Sequence, residues 1–174
     1  MISKTLAFVA ALALACGAAN AEVKAAAPDG LVIQIKGETA LTREAAWTRL
    51  LSIGTWWSSD HTYSGDASNM TIDAVAGGCW CEIWEGGEVE HGRVLYVAPN
   101  QTIRFSSALG PLQDLGVSAV VTFTLSDGSA PGRTIVTLDI KAAGSSLSAL
   151  DKMAPLVDMV LAEQVKRFAA TLAP

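Results

Sequence analysis

Residues 147–172 read LSALDKMAPLVDMVLAEQVKRFAATL, the longest helical pattern in the chain. Leu150, Met153, Val157, Val160, Leu161, Gln164, Phe168 and Leu172 recur at steps of about 3 to 4 residues, the period of one helix face. Asp151, Lys152, Asp158, Glu163, Lys166 and Arg167 fall mainly on the other side. An isolated helix of this kind is marginal in water and draws its stability from burying the stripe. Upstream there are only short strands, so the predicted partner is a sheet curling around the helix. Pro155 is the misfit: it lacks an amide and crowds the carbonyl four residues back, so it is expected to start the main helix or kink it.

Working backwards from the helix, residues 135–140 predict a last strand, with Val136, Leu138 and Ile140 on one face. Val117, Ala119, Val121, Phe123 and Leu125 alternate with polar residues in the clearest amphipathic strand. Ile103 and Phe105 belong to a shorter one, separated from it by a Gly-Pro loop over 109–116. Residues 79–84 and 89–97 form a predicted hairpin across Glu85-Gly86-Gly87-Glu88. Met70, Ile72 and Ala74 precede a bend or bulge at Gly77-Gly78. Residues 31–37 predict the first strand, and Thr42 caps a first helix whose buried face is Trp47, Leu50 and Leu51. Gly54 ends that helix, Trp56-Trp57 sit in a short helical turn or bend, and residues 59–69 form a polar loop. The order is strand, two short helices, sequential antiparallel strands, then one long helix. That is an α+β fold with a sheet of six or seven strands, not a parallel α/β sheet.

The chain's 174 residues suit one domain after a leader is set aside. Lys4, the apolar run 6–15 and Ala19-Asn20-Ala21 have the three parts of a cleaved export signal, placing the start of the mature domain, 22–174, at Glu22. Cys16 offers a lipidation alternative, with its preceding leucine one position out of place. The apolar run is shorter than the roughly 20 residues a membrane span needs, and none downstream is long enough. The expected location is therefore periplasmic or secreted. The balance of 12 Lys and Arg against 17 Asp and Glu, without a basic run, argues against a nucleic-acid partner. Cys79 and Cys81 leave three readings open: free packed thiols, a strained or intermolecular disulfide, or metal ligands. With two histidines at no ligand spacing, metal is the weakest, and no cofactor motif is present.

Several motifs together resemble the helix-grip (START/SRPBCC) superfamily, which includes START lipid-transfer domains, pollen allergens of the Bet v 1 type, polyketide cyclases and activators of the Hsp90 ATPase. They are Trp56-Trp57, Gly77-Gly78 followed by Trp80, Glu82 and Trp84, His91-Gly92-Arg93-Val94 leading to Pro99, Gly110-Pro111-Leu112, and Gly132-Arg133-Thr134. The resemblance implies an apolar cavity between the sheet and the C-terminal helix. It does not select a chemistry, because fold does not imply function. An export signal sets the chaperone role aside.

Alternation puts Trp80, Glu82 and Trp84 on one strand face and Cys79, Cys81 and Ile83 on the other. The resemblance turns the first set inward, which would place a carboxylate of raised pKa between two indoles, lining the ligand space. The alternative is that Glu82 simply pairs with Arg93 or Arg104. The expected ligand wall comprises Trp56, Trp57, Trp80, Glu82, Trp84, Phe105, Phe123, Val157 and Leu161. Glu82, His61 beside Asp60, and His91 near Glu90 are the acid–base candidates. With no nucleophile elbow or zinc motif, the leading expectation is a binding or carrier protein for a small apolar or lipid-like ligand. A cyclase-like or hydrolase-like enzyme, or a protein-interaction module, is the alternative. Oligomeric state is left open.

Overall fold

Eight strands alternate in direction through one sheet, and the structure, a computed structural model, describes them within residues 20–170. Residues 1–19 of the expected leader, including Cys16, and Leu172 at the far end of the helical stripe lie outside the described residues. The strands are β1 (Asn20–Ala27), β2 (Gly30–Thr39), β3 (Met70–Ile72), β4 (Cys79–Trp84), β5 (Gly87–Ala98), β6 (Thr102–Ser106), β7 (Ser118–Asp127) and β8 (Thr134–Ala143). Their order across the sheet is β1-β2-β8-β7-β6-β5-β4-β3, antiparallel throughout. Two helices accompany them, α1 (Arg43–Leu51) and α2 (Leu150–Ala169). This is the helix-grip arrangement, a curved antiparallel sheet with a long C-terminal helix.

The sheet exceeds the expected six or seven strands because of β1. Its sequence, NAEVKAAA, is half alanine and has no apolar alternation to betray a strand, yet it pairs with β2 across the tight turn at Pro28-Asp29. The expected cleavage point after Ala21 falls within this strand. The second short helix is only a 3-10 turn, Ile53–Thr55, followed by two more at Ser59–His61 and Ala67–Asn69. Thr42 caps α1 as expected, its hydroxyl accepting from the Ala45 amide at 3.3 Å.

Helix α2 runs unbroken through Pro155, so the proline neither starts it nor ends it. Ala149 enters with φ 48°, and the Leu150 amide donates to the Pro28 carbonyl at 2.9 Å, pinning the helix start to the β1–β2 turn. Leu150, Ala154, Leu161, Gln164, Val165, Phe168 and Ala169 are buried. Gly37 of β2 permits the close approach: a Cβ there would come within 2.8 Å of Val165 Cγ1. At the other end, Arg49 of α1 donates to the carbonyls of Phe168 (2.9 Å), Arg167 (3.0 Å) and Ala170 (3.3 Å), filling acceptors that a helix C-terminus leaves open. Asp158, expected on the solvent side, is half-buried, and burial pushes its carboxyl pKa up.

Inside the grip the core is largely aromatic. Trp56, Trp57, Trp80, Phe105, Phe123 and Phe168 are all buried, with centroid separations of 5.3 Å for Trp56–Phe168, Trp57–Trp80 and Trp80–Phe105. Edge-on and tilted contacts at these distances add to the area each ring removes from water. On the outer face of β4, Cys79 and Cys81 form a disulfide with Cα atoms 5.4 Å apart, which removes the free-thiol and metal readings.

Candidate functional site

The aromatic core fills only part of the grip. Between α2, residues 57–63 and residues 109–114 lies a cavity of about 520 Å³, floored by Ile140 and His91. Met153, Val157, Val160 and Leu161 supply its helical wall, and the first three of these stripe residues are only partly covered by protein. Leu156, half-exposed, sits at the rim.

The loop over the cavity is held from two directions. Gln164, fully buried within the otherwise apolar helix stripe, accepts from the Ser58 amide at 2.8 Å and so ties residues 57–58 to α2. Glu82, also fully buried, ties the loop to the sheet: its carboxylate accepts from the Ser64 amide at 2.5 Å, the Tyr63 amide at 3.1 Å and His91 Nε2 at 2.8 Å. Burial raises a carboxyl pKa, but here the donors from Ser64, Tyr63 and His91 outweigh it and hold Glu82 below its usual value. The expected upward shift is thus reversed. The pairing with Arg93 or Arg104 does not occur either. Arg93 pairs with Glu90 and donates to the Gly77 carbonyl at 2.9 Å, while Arg104 stacks over Tyr96 at 5.6 Å.

His91 reaches the cavity because β5 carries an extra residue. Trp80 registers with Gly92 and Cys81 with Glu90, so His91 is the unpaired residue of a bulge, and both His91 and Gly92 turn inward. The bend requires glycine beside it: a Cβ on Gly92 would meet Ser107 Cβ at 2.8 Å. Ser107 Oγ in turn donates to the His91 carbonyl at 2.6 Å. Burial pulls the His91 pKa down, and Glu82 only partly restores it, so the net shift is downward. At neutral pH the pair is an ionised carboxylate facing a neutral imidazole. An ionised carboxylate can only accept, so the imidazole proton is on Nε2 and Nδ1 carries the lone pair.

His61 stands at the cavity mouth, its Nε2 3.2 Å from Glu163 Oε2 of α2. Tyr63 bridges the two loops, its hydroxyl donating to the Gly110 carbonyl at 3.2 Å, and burial with the nearby Asp114 and Glu82 charges raises its pKa. Of the residues expected to contact a ligand, Trp57, Val157 and Leu161 line the cavity, as do His61 and His91. Trp56, Trp80, Phe105 and Phe123 lie in the packed core beneath, and Glu82 sits behind His91. Trp84 lies farther off, folded over the β4–β5 turn against Gly87. Sequence reading missed Tyr63, Asp60 and Asp114 as lining residues. The Gly-Pro pair at 110–111 was the available signal for the second loop, since a turn that ends one strand and opens another must cross the mouth of a curved sheet.

No known family's sequence profile matches the chain, and no curated protein matches it. Solved structures do. The protein Ms6760 from Mycobacterium smegmatis superposes with a TM-score of 0.58 at 15% identity, covering 82% of this chain and 90% of that one. A conserved protein of unknown function from Enterococcus faecalis gives 0.56 at 10% identity over 81% and 70%. The Aha1 dimer from Colwellia psychrerythraea gives 0.56 at 16% identity over 79% and 92%. At these identities the likeness is one of fold. It defines the chain as a helix-grip protein with a curved antiparallel sheet closed by its last helix.

Proposed function

We propose that the protein is an exported member of the START/SRPBCC superfamily that binds and carries a small apolar molecule between its sheet and α2. The cavity carries this reading: about 520 Å³ lies within the range of pockets that hold small molecules, and its helical wall is apolar. The Cys79–Cys81 disulfide supports export, because such bonds persist in oxidising compartments. Native mass spectrometry of protein gently recovered from the periplasm or medium tests both parts. A co-purifying apolar ligand on a chain starting at Glu22 is the expected result; a chain lipidated at Cys16 would overturn soluble export, and a cavity that takes up no added apolar molecule would overturn carriage.

The Glu82–His91 pair favours a second reading, an acid–base enzyme of the cyclase or hydrolase kind in which neutral His91 takes a proton from the bound molecule. Turnover of added polyketide-like substrates by the wild type, lost in His91→Phe, would select it over carriage.

A further inference from the structure

The polar groups on the cavity wall are almost all of one kind. Three lining side chains carry a hydrogen-bond donor that is already committed to a backbone carbonyl: Trp57 Nε1 to His61 (3.0 Å), Thr62 Oγ1 to Ser59 (2.8 Å) and Tyr63 Oη to Gly110 (3.2 Å). His61 has its Nε2 on Glu163. The acceptors that remain include the carboxylates of Asp60 and Asp114, and Nδ1 of His91. That nitrogen has no partner among the described residues, and His91 lines the cavity. No lysine or arginine among the described residues lines the cavity.

We infer that the ligand is an apolar molecule that brings its own donor, a hydroxyl or an amine N–H, and places it on His91 Nδ1, and that carboxylate-bearing molecules such as free fatty acids are rejected. This rests on the reading that the cavity binds an apolar molecule, and it specifies the chemical class. Glu82 is the positioning residue. As a charged acceptor on Nε2 it fixes the tautomer, leaving His91 able to receive a hydrogen bond from the ligand and unable to give one. An anion would meet Asp60 and Asp114 with no lysine or arginine among the described lining residues to offset them, and a ketone would find the donors of Trp57, Thr62, Tyr63 and His91 Nε2 already engaged.

The test compares three head groups on two skeletons, 1-decanol, 2-decanone and decanoate beside 1-naphthol, 1-acetylnaphthalene and 1-naphthoate, by calorimetry on the chain from Glu22. On whichever skeleton fits, the hydroxyl form is expected to bind about tenfold tighter than the ketone, and the carboxylate weakest. In His91→Phe the hydroxyl-over-ketone preference should vanish. Because that variant removes a buried group and could fail to fold, nitrogen NMR of His91 in the wild type supplies an independent readout. Nδ1 should resonate as the unprotonated nitrogen and shift when the alcohol is added. Equal affinities for the three head groups, or a proton on Nδ1, would overturn the ligand class while leaving the cavity reading standing. If no compound on either skeleton binds, the cavity reading falls and the class with it.

Discussion

At the residue scale, the Glu82–His91 pair makes a prediction about acid. His91 titrates below the ordinary 6.5, so as pH falls through that value the unfolded chain takes up a proton that the folded chain refuses. Protons then favour the unfolded state, and stability declines on the acid side of 6.5 until the lower folded pKa is passed. Glu82, held below its ordinary 4.5, adds a second decline of the same sign beginning near that pH. Urea midpoints measured from pH 8 to pH 4 should therefore fall in two stages, with His91→Phe abolishing the first and sparing the second. A midpoint that rises on acidification would contradict the assignment of a neutral buried imidazole. The disulfide behaves differently. It spans only two residues, so replacing Cys79 and Cys81 together by serine is expected to cost about 1–2 kcal/mol on loop-entropy grounds, measurable as a small drop in Tm.

Between elements, two contacts set how α2 sits. Replacing Arg49 by leucine keeps the apolar stem and removes the charged donor from three terminal carbonyls, and should lower stability by about 2 kcal/mol in denaturant unfolding. Replacing Gly37 by valine drives a branched side chain into Val165, and a cost of about 1–3 kcal/mol is expected as α2 lifts from β2. The same elements show what the sequence could disclose. The α2 stripe, the alternation of β7 and the Thr42 cap were legible because period and capping chemistry are local. The inward face of β4 was legible too, since Trp80 and Glu82 are fully buried and Ile83 is 57% exposed. By contrast, β1 was hidden by its alanines. The bulge at His91 was hidden because adding one residue breaks the two-residue period on which strand reading depends. Glu82 was placed on the correct side with the wrong partners: two of its three donors are the backbone amides of Tyr63 and Ser64, and a backbone amide leaves no mark in a sequence.

For the whole molecule, a ligand that binds only the folded chain must stabilise it. At a hundred times its Kd, 1-decanol or 1-naphthol is expected to add about 2.7 kcal/mol, read as a rise of several degrees in Tm. Leu161→Trp, which places a large ring in the cavity wall, should abolish that rise. No helix among the described residues is long and apolar enough to cross a membrane. The main partners of α2 are β1 and β2, the first strands among the described residues, although α2 is the last described element. A ribosome delivers β2 more than a hundred residues before Phe168, so until α2 is made the sheet lacks the ring that packs edge-on against Trp56. Anything that engages the chain before residues 150–169 have been made meets a sheet whose aromatic core still lacks one of its rings.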